Sequence, residues 1–222
     1  MSASHLELSA EQIRVLGCLL EKQRTTPDAY PLSLNALRLA CNQSTAREPV
    51  VDYDEATLRD ALHRLERRGL TRLASGAGSR AAKYRHLLAE RLPMDRAEEA
   101  VMCVLMLRGP QTPGELKQRG ERMHAFADLA ELQQTLDRLI ERQLVERLQR
   151  RPGQKEERYR ELLGGEQAEA PDAAEELALR APVPQSNGAG AGQGALAERV
   201  ARLEREVAEL RGRVEGTVGG VL

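Results

Sequence analysis

Three segments near the start of the chain carry apolar residues at the spacing of an amphipathic α-helix. A capping-box pattern of Ser9 and Gln12 precedes the first segment, and Ser33 precedes the second. The third extends from about Asp54 to Gly69, and glycine is typical just after a helix C-terminus. The pattern predicts three helices packed through one apolar side each. Their inward positions are Ile13, Leu16 and Leu20, then Leu34, Leu37 and Cys41, then Leu58, Leu62 and Leu65.

The segments between and after these helices predict short strands. Pro27 and Pro31 end the first helix and bracket a short extended piece. Residues 70–74 and 82–87 flank the polar turn 75–79, which predicts a β-hairpin. Helix, short strand, helix, helix and hairpin is the element order of a winged helix. We therefore predict a winged-helix domain over residues 1–90.

The same order then repeats, which predicts a second winged-helix domain over residues 91–163. Residues 97–107 form a strongly apolar helical segment, and Thr112 to Glu115 is a capping box with proline at the first helical position. The predicted fold class is mainly α with small β-hairpins (α+β). Shifted by 74 positions, Leu58, Leu62, Arg64, Leu65, Arg68 and Leu70 fall on Leu132, Leu136, Arg138, Leu139, Arg142 and Leu144, and Tyr84 falls on Tyr159 after a shift of 75.

The remaining chain predicts a linker and a coiled coil. Residues 164–195 are rich in Ala, Gly, Pro and Glu without a sustained period, which indicates a flexible linker. Residues 196–215 carry a heptad pattern with valine and leucine alternating, which favours a parallel two-stranded coiled coil and hence a homodimer. The seam positions are Leu196, Val200, Leu203, Val207, Leu210 and Val214.

Composition and charge narrow the classes of protein. A chain of 222 residues with 41% apolar and 30% charged residues is typical of a soluble globular protein. Its longest apolar run, 100–107, is far shorter than the roughly 20 residues that span a bilayer, and no signal peptide is evident, so we expect a cytoplasmic protein without a membrane partner.

The net charge of −1 hides a polarised distribution. Residues 59–91 hold nine basic and three acidic residues, whereas 164–222 hold six basic and ten acidic ones.

No motif for catalysis, metal or cofactor stands in a suitable context. The glycines at Gly76 and Gly78 imitate a dinucleotide fingerprint, but a second short strand follows them instead of a helix. The four histidines have no cysteine or carboxylate at ligand spacing, and the three cysteines are expected to be reduced core thiols. We therefore predict a non-enzymatic protein with no cofactor and no metal.

The third helix and its hairpin are the candidate DNA-binding surface. Arg59, His63 and Arg67 recur at four-residue steps opposite the buried leucines, with Arg64 and Arg68 beside them. Arg80, Lys83 and Arg85 on the hairpin can meet phosphates. A solvated basic helix face is the alternative, and Asp52, Asp54 and Glu55 at the start of this helix would repel phosphate. The corresponding helix of the second repeat carries Asp128, Glu131, Asp137 and Glu141, which favours a protein-binding or spacing module.

Long motifs resemble the YceH-like family of bacterial cytoplasmic proteins. They are GCLLEKQRTTPDAYPLSLNALRLACNQSTAREPV, GSRAAKY, LRGPQTPGELKQR and RPGQKEERY, which together with the terminal heptads cover nearly the whole chain. The resemblance implies tandem winged helices and a cytoplasmic location, and it implies no reaction. Asn42, Gln43 and Arg47 match the family pattern, whereas Ser44 and Ala46 stand where that pattern has a lysine and an asparagine. Asn35, Asn42 and Gln43 are equally suited to contacting DNA or to fixing the turn internally.

The leading hypothesis is a dimeric winged-helix regulator that binds double-stranded DNA through its first domain. The alternative is a non-enzymatic adaptor whose winged helices hold proteins. The candidate DNA-binding residues are Asn35, Asn42, Gln43, Arg47, Arg59, His63, Arg64, Arg67, Arg68, Arg80, Lys83 and Arg85.

Overall fold

The structure is a computed structural model that describes residues 6–74, 82–150 and 156–164. These residues form a mixed α+β fold of helices and small antiparallel sheets, and they lie in one compact unit. The predicted coiled coil and all of the predicted linker except Gly164 lie outside the described residues. Within the described part of the chain, no helix is long and apolar enough to cross a membrane.

The first two helices begin where the capping residues predict. Helix α1 (Ala10–Thr25) starts after Ser9, whose side chain accepts a hydrogen bond from the backbone of Gln12 in a complete capping box. A 3-10 turn and the short strand β1 (Leu32–Ser33) follow. Helix α2 (Leu34–Cys41) is capped by Ser33, which accepts from the backbone of Ala36. Both predicted N-termini are therefore confirmed.

The third helix leads directly into a hairpin. Helix α3 (Glu55–Arg67) is capped by Asp54 and is followed by Gly69, whose φ of +69° reverses the chain without a steric penalty. Strands β2 (Thr71–Leu73) and β3 (Lys83–His86) then pair antiparallel. Because β1 also pairs with β3, the sheet has the order β1-β3-β2 and closes over the three helices.

The second half repeats this order of elements. After the short helix α4 (Leu88–Arg91), which the sequence pattern did not predict, come α5 (Arg96–Arg108), α6 (Pro113–Gly120) and α7 (Leu129–Glu141). Strands β4 (Val145–Leu148) and β5 (Arg158–Glu161) form the hairpin. In place of a first strand, Gln111 forms an antiparallel bridge to Tyr159, with N···O distances of 2.8 and 3.0 Å.

The repeated leucines fill one continuous core. Leu58, Leu62, Leu65 and Leu70 and their counterparts Leu132, Leu136, Leu139 and Leu144 are all buried. Helices α1 and α5 pack together, and the buried residues of both repeats belong to the same cluster. The division into domains at residue 90 stays a prediction.

Candidate nucleic-acid interface

The solvent side of α3 carries a row of basic side chains. The leucines on the opposite side of the helix are buried in the core. Because the two sides separate apolar from charged residues so completely, α3 presents its charges to solvent as one helix face. The exposed members of this basic face are Arg59, His63, Arg64, Arg67 and Arg68.

Two arginines of the basic face are paired with acids one turn earlier on the same helix. Arg59 Nη2 lies 2.6 Å from Glu55 Oε2, and Arg64 Nε lies 2.9 Å from Asp60 Oδ2. All four side chains are exposed, and surface pairs of this kind contribute about 0.3–0.5 kcal/mol. A polyanion can therefore compete for both arginines at little cost.

At the C-terminal end of α3, the arginine side chains form fewer ion pairs. Arg67 is exposed and forms no ion pair with any residue that the structure describes. Among the described residues, Arg68 donates to the backbone oxygen of Glu7, at 3.4 Å. The positive charge of α3 is thus most available in its last turn.

The hairpin adds basic side chains beside α3. Lys83 is exposed, and Arg85 is partly buried with Nη1 3.2 Å from Glu90 Oε1. Arg72, which was not among the predicted residues, is exposed on β2 directly opposite Arg85 in the strand register. Like charges placed opposite each other destabilise a sheet, and here Glu90 offsets the charge of Arg85 while Arg72 forms no ion pair with a described residue. Arg80 lies outside the described residues.

A cleft of about 250 Å³ separates α3 from the hairpin. We call it the α3–hairpin cleft. Arg59 and His63 of α3 and Arg72 of β2 line it, and Glu66 is the acidic member of its lining among the described residues. The α3–hairpin cleft therefore lies within the basic surface that α3 and the hairpin form.

The acidic residues at the start of α3 have structural roles. Asp54 accepts a hydrogen bond from the backbone N–H of Thr57 at 2.8 Å, and this bond lowers the pKa of the exposed Asp54 carboxyl. Asp52 Oδ1 accepts from Asn42 Nδ2 at 3.2 Å. These carboxylates suit the helix dipole and repel phosphate. They restrict any DNA contact to the middle and the C-terminal half of α3 and to the hairpin.

The Asn42 and Gln43 side chains serve the interior of the turn. Asn42 Nδ2 donates to the backbone oxygen of Tyr53 at 2.9 Å, and Asn42 Oδ1 accepts from the Tyr53 N–H at 2.9 Å. Gln43 Oε1 accepts from Arg47 Nη2 at 2.7 Å. Of the two interpretations left open for these amides, the internal one is supported. Asn35 is exposed, with a single long contact of 3.5 Å from Arg38.

Arg47 does not belong to a DNA-binding surface, contrary to its inclusion among the candidates. Its side chain is 0% exposed, and its donors bind the carboxylate of Glu21 and the backbone oxygens of Ala40 and Ala46. The partner Glu21 lies in α1, far away in sequence. No local pattern reveals this pairing, and an arginine in a polar loop looks exposed by default.

The three cysteines are interior groups, as predicted. All are free and buried. A hydrogen bond with Cys18 and burial raise the pKa of the Cys41 thiol, and burial raises that of Cys103. The thiols of Cys41 and Cys103 are therefore held protonated, and protonated, buried thiols are poor nucleophiles and poor metal ligands. Among the described residues no group of three or more potential ligands is placed to hold a metal ion.

Helix α7 occupies the position of α3 in the second repeat but presents a different surface. Arg138 and Arg142, the counterparts of Arg64 and Arg68, both contact Glu98 at the start of α5, with N···O distances of 3.4 and 2.8 Å. Arg138 also pairs with Asp95 at 3.1 Å. The exposed residues of α7 also include Gln134, Asp137, Glu141 and Leu129, which is 54% exposed.

The described residues define a two-repeat α+β protein with one basic helix-and-hairpin surface. Residues 8–154 match the family described as "Protein of unknown function, DUF480". The chain is 44% identical over 225 residues to the UPF0502 protein of Shewanella oneidensis, covering 97% of this chain and 100% of that protein. It is 50% identical over 210 residues to that of Pelobacter propionicus, covering 93% and 91% of the two chains. The chain therefore belongs to the DUF480/UPF0502 family, which confirms the resemblance carried by its motifs.

Proposed function

We propose that this protein is a tandem winged-helix protein that binds double-stranded DNA through α3 and the β2–β3 hairpin, as a dimeric regulator. The observation that carries the proposal is the contrast between two helices in equivalent positions. In α7, Arg138 and Arg142 both contact Glu98 of another helix, α5. In α3, among the described residues, the counterpart Arg64 pairs with Asp60 of its own helix and Arg68 donates to a backbone oxygen, so both stay at the surface beside a basic hairpin. A helix preceded by a second helix and followed by a hairpin suits a major groove and its flanking phosphates.

The test is binding of the full chain to random-sequence duplex over a series of salt concentrations. Each phosphate contact releases condensed counterions and contributes about 0.9 to the slope of log K against log salt. Arg67→Glu combined with Lys83→Glu should flatten this slope by about two units, because each residue is expected to neutralise one phosphate.

A matched control separates a local contact from a change of net charge. Arg122 and Arg150 are exposed arginines of the second repeat, and Arg122→Glu with Arg150→Glu makes the same change of net charge as the α3–hairpin variant. The control pair should keep most of the wild-type slope. Binding that ignores salt, or that falls equally in both double variants, counts against recognition by α3 and the hairpin.

An adaptor that binds another protein is the second candidate. The outer face of α7 favours it, since Asp137 and Glu141 repel phosphate and the exposed Leu129 offers an apolar contact. In this case the second repeat would hold a partner whose surface is basic around an apolar pocket. Leu129→Asp should then abolish capture of that partner and leave duplex binding unchanged.

Dimerisation through residues 196–215 is part of the proposal and is tested separately. Sedimentation of the full chain should give a dimer, and Leu203→Asp should give a monomer, because a charge in the heptad seam opposes association. Loss of the dimer should also weaken duplex binding, since two weak sites joined by linkers raise each other's effective concentration. Monomeric wild-type protein would remove the dimer from the proposal, and a dimeric Leu203→Asp variant would place the interface elsewhere.

A further inference from the structure

We propose that the α3–hairpin cleft is the subsite for one sugar-phosphate unit of the DNA backbone, a detail that rests on the duplex binding proposed above. The inference names Arg72 and Leu73 as contact residues, although neither is part of the pattern of basic residues along α3. It follows from the charge, the size and the apolar wall of the cleft.

The charge of the cleft suits a phosphate. Arg59 and His63 line one side and Arg72 the other, and within the described part of the chain Glu66 contributes the one carboxylate. Arg72 forms no ion pair with any described residue and stands directly opposite Arg85 across the strands. Guanidinium groups bind phosphate oxygens through two parallel hydrogen bonds, so an unpaired arginine at the rim of a cleft is well suited to this role.

The size of the cleft limits what it can hold. Its volume is about 250 Å³. Pockets for drug-sized ligands begin at about 300 Å³. The cleft is thus smaller than the pockets of drug-sized ligands and has room for a small group such as one sugar-phosphate unit.

The apolar part of the lining distinguishes a sugar-phosphate from free phosphate. Leu73 is 46% exposed and lies directly opposite Tyr84 in the strand register. Both residues line the cleft. A deoxyribose ring can pack against this wall while its phosphate meets the arginines. A free phosphate would gain nothing from it.

The experiment compares single variants of the full chain in duplex binding over a salt series. Arg72→Ala should reduce the salt slope by about 0.9, because one counterion-releasing contact is lost. Leu73→Ala should weaken binding at every salt concentration without changing the slope, because an apolar contact releases no counterions. Glu66→Gln should tighten binding about fivefold at low salt, because it removes a negative charge that lines the cleft.

Arg122→Ala is the matched control, since Arg122 is exposed in the second repeat, and it should leave the slope unchanged. A wild-type slope in Arg72→Ala overturns the subsite while duplex binding itself stands. A wild-type protein that binds no duplex at any salt concentration removes the function on which the subsite rests. Inorganic phosphate should displace duplex no better than chloride at equal ionic strength. Stronger displacement by phosphate that depends on Arg72 would assign the cleft to free phosphate and overturn the sugar contact.

Discussion

The guanidinium of Arg47 and the carboxylate of Glu21 form a two-pronged ion pair, with Nη2–Oε2 at 2.6 Å and Nη1–Oε1 at 3.0 Å. The pair joins α1 to the connection between α2 and α3. Burial opposes ionisation of Glu21, but the hydrogen bonds and the charge of Arg47 hold the pKa of that carboxyl below its usual value. The connection that leads into α3 is therefore fixed by an interior charge pair.

Arg47→Ala should lower the free energy of unfolding by about 3–5 kcal/mol, because it leaves the Glu21 carboxylate largely buried without its main partner. Urea denaturation measures this. Arg59→Ala removes one member of the exposed pair with Glu55 and should cost less than about 1 kcal/mol. Equal losses in the two variants would contradict a structural role for the buried pair.

The outline of the fold was accessible from sequence because its signals are local. Ser9, Ser33 and Thr112 cap helices where their patterns predict, since a cap needs only its own residue and the next three. The repeat of buried leucines could also be predicted from the sequence, because each copy of the pattern supports the interpretation of the other. The short helix α4 has no side-chain cap, so no local sequence pattern predicts it.

The candidate site was predicted less well because its outcome depends on distant partners. Arg47 and Arg67 look alike in sequence, yet one binds a carboxylate in α1 and the other faces solvent. Arg68 and Arg142 occupy equivalent positions, but the latter finds Glu98 in α5. Pairing with distant carboxylates decides which arginines remain available to bind a ligand. The spacing of residues along one helix does not predict that pairing.

The contact between α1 and α5 depends on the small size of Gly17. A Cβ atom at this position would lie 2.9 Å from Leu107 Cδ2 and 3.2 Å from Met106 Cβ. Gly17→Ala should therefore destabilise the protein by about 1–3 kcal/mol through overpacking, despite the better helix propensity of alanine. Gly114→Ala is the control, because nothing lies within 4 Å of the new methyl group, and it should be neutral or slightly stabilising. A stabilising Gly17→Ala would show that the two helices separate easily.

His86 makes stability depend on pH. Its Nδ1 accepts a hydrogen bond from the Leu88 N–H at 3.2 Å, so Nε2 carries the proton and donates to Gln23 Oε1 at 2.7 Å. Burial, together with the charges of Arg24 and Arg85, lowers the pKa of His86 from 6.5 to about 4. The neutral ring is therefore the form that the fold accommodates.

The unfolded chain takes up a proton at His86 near pH 6.5, whereas the folded protein does so only near pH 4. Acidification within this window thus favours unfolding, and the free energy of unfolding should fall by up to about 1.4 kcal/mol per pH unit. Urea denaturation at several pH values measures the slope. His86→Asn, whose Oδ1 can accept from the Leu88 N–H, should flatten the slope between pH 6.5 and pH 5. An unchanged slope in that variant would assign the effect to other groups.

Leu62 in α3 and Leu136 in α7 hold equivalent places in the repeated core, and both are buried. Truncation of either to alanine should lower the free energy of unfolding by about 2–5 kcal/mol, because methyl groups leave the core and a cavity remains. Leu39→Ala and Leu129→Ala are the controls. Their side chains are 59% and 54% exposed, so both changes should cost less than about 0.5 kcal/mol.

The two core variants also test whether the repeats unfold together. The buried residues of both repeats form one cluster through α1 and α5, so we expect a single transition that Leu62→Ala and Leu136→Ala shift alike. Calorimetry of the wild type and both variants measures this. Two transitions, each moved by only one of the variants, would instead show independent unfolding of residues 1–90 and 91–163. In that case the packing of α1 on α5 would contribute little to stability, and Gly17→Ala should then be nearly silent as well.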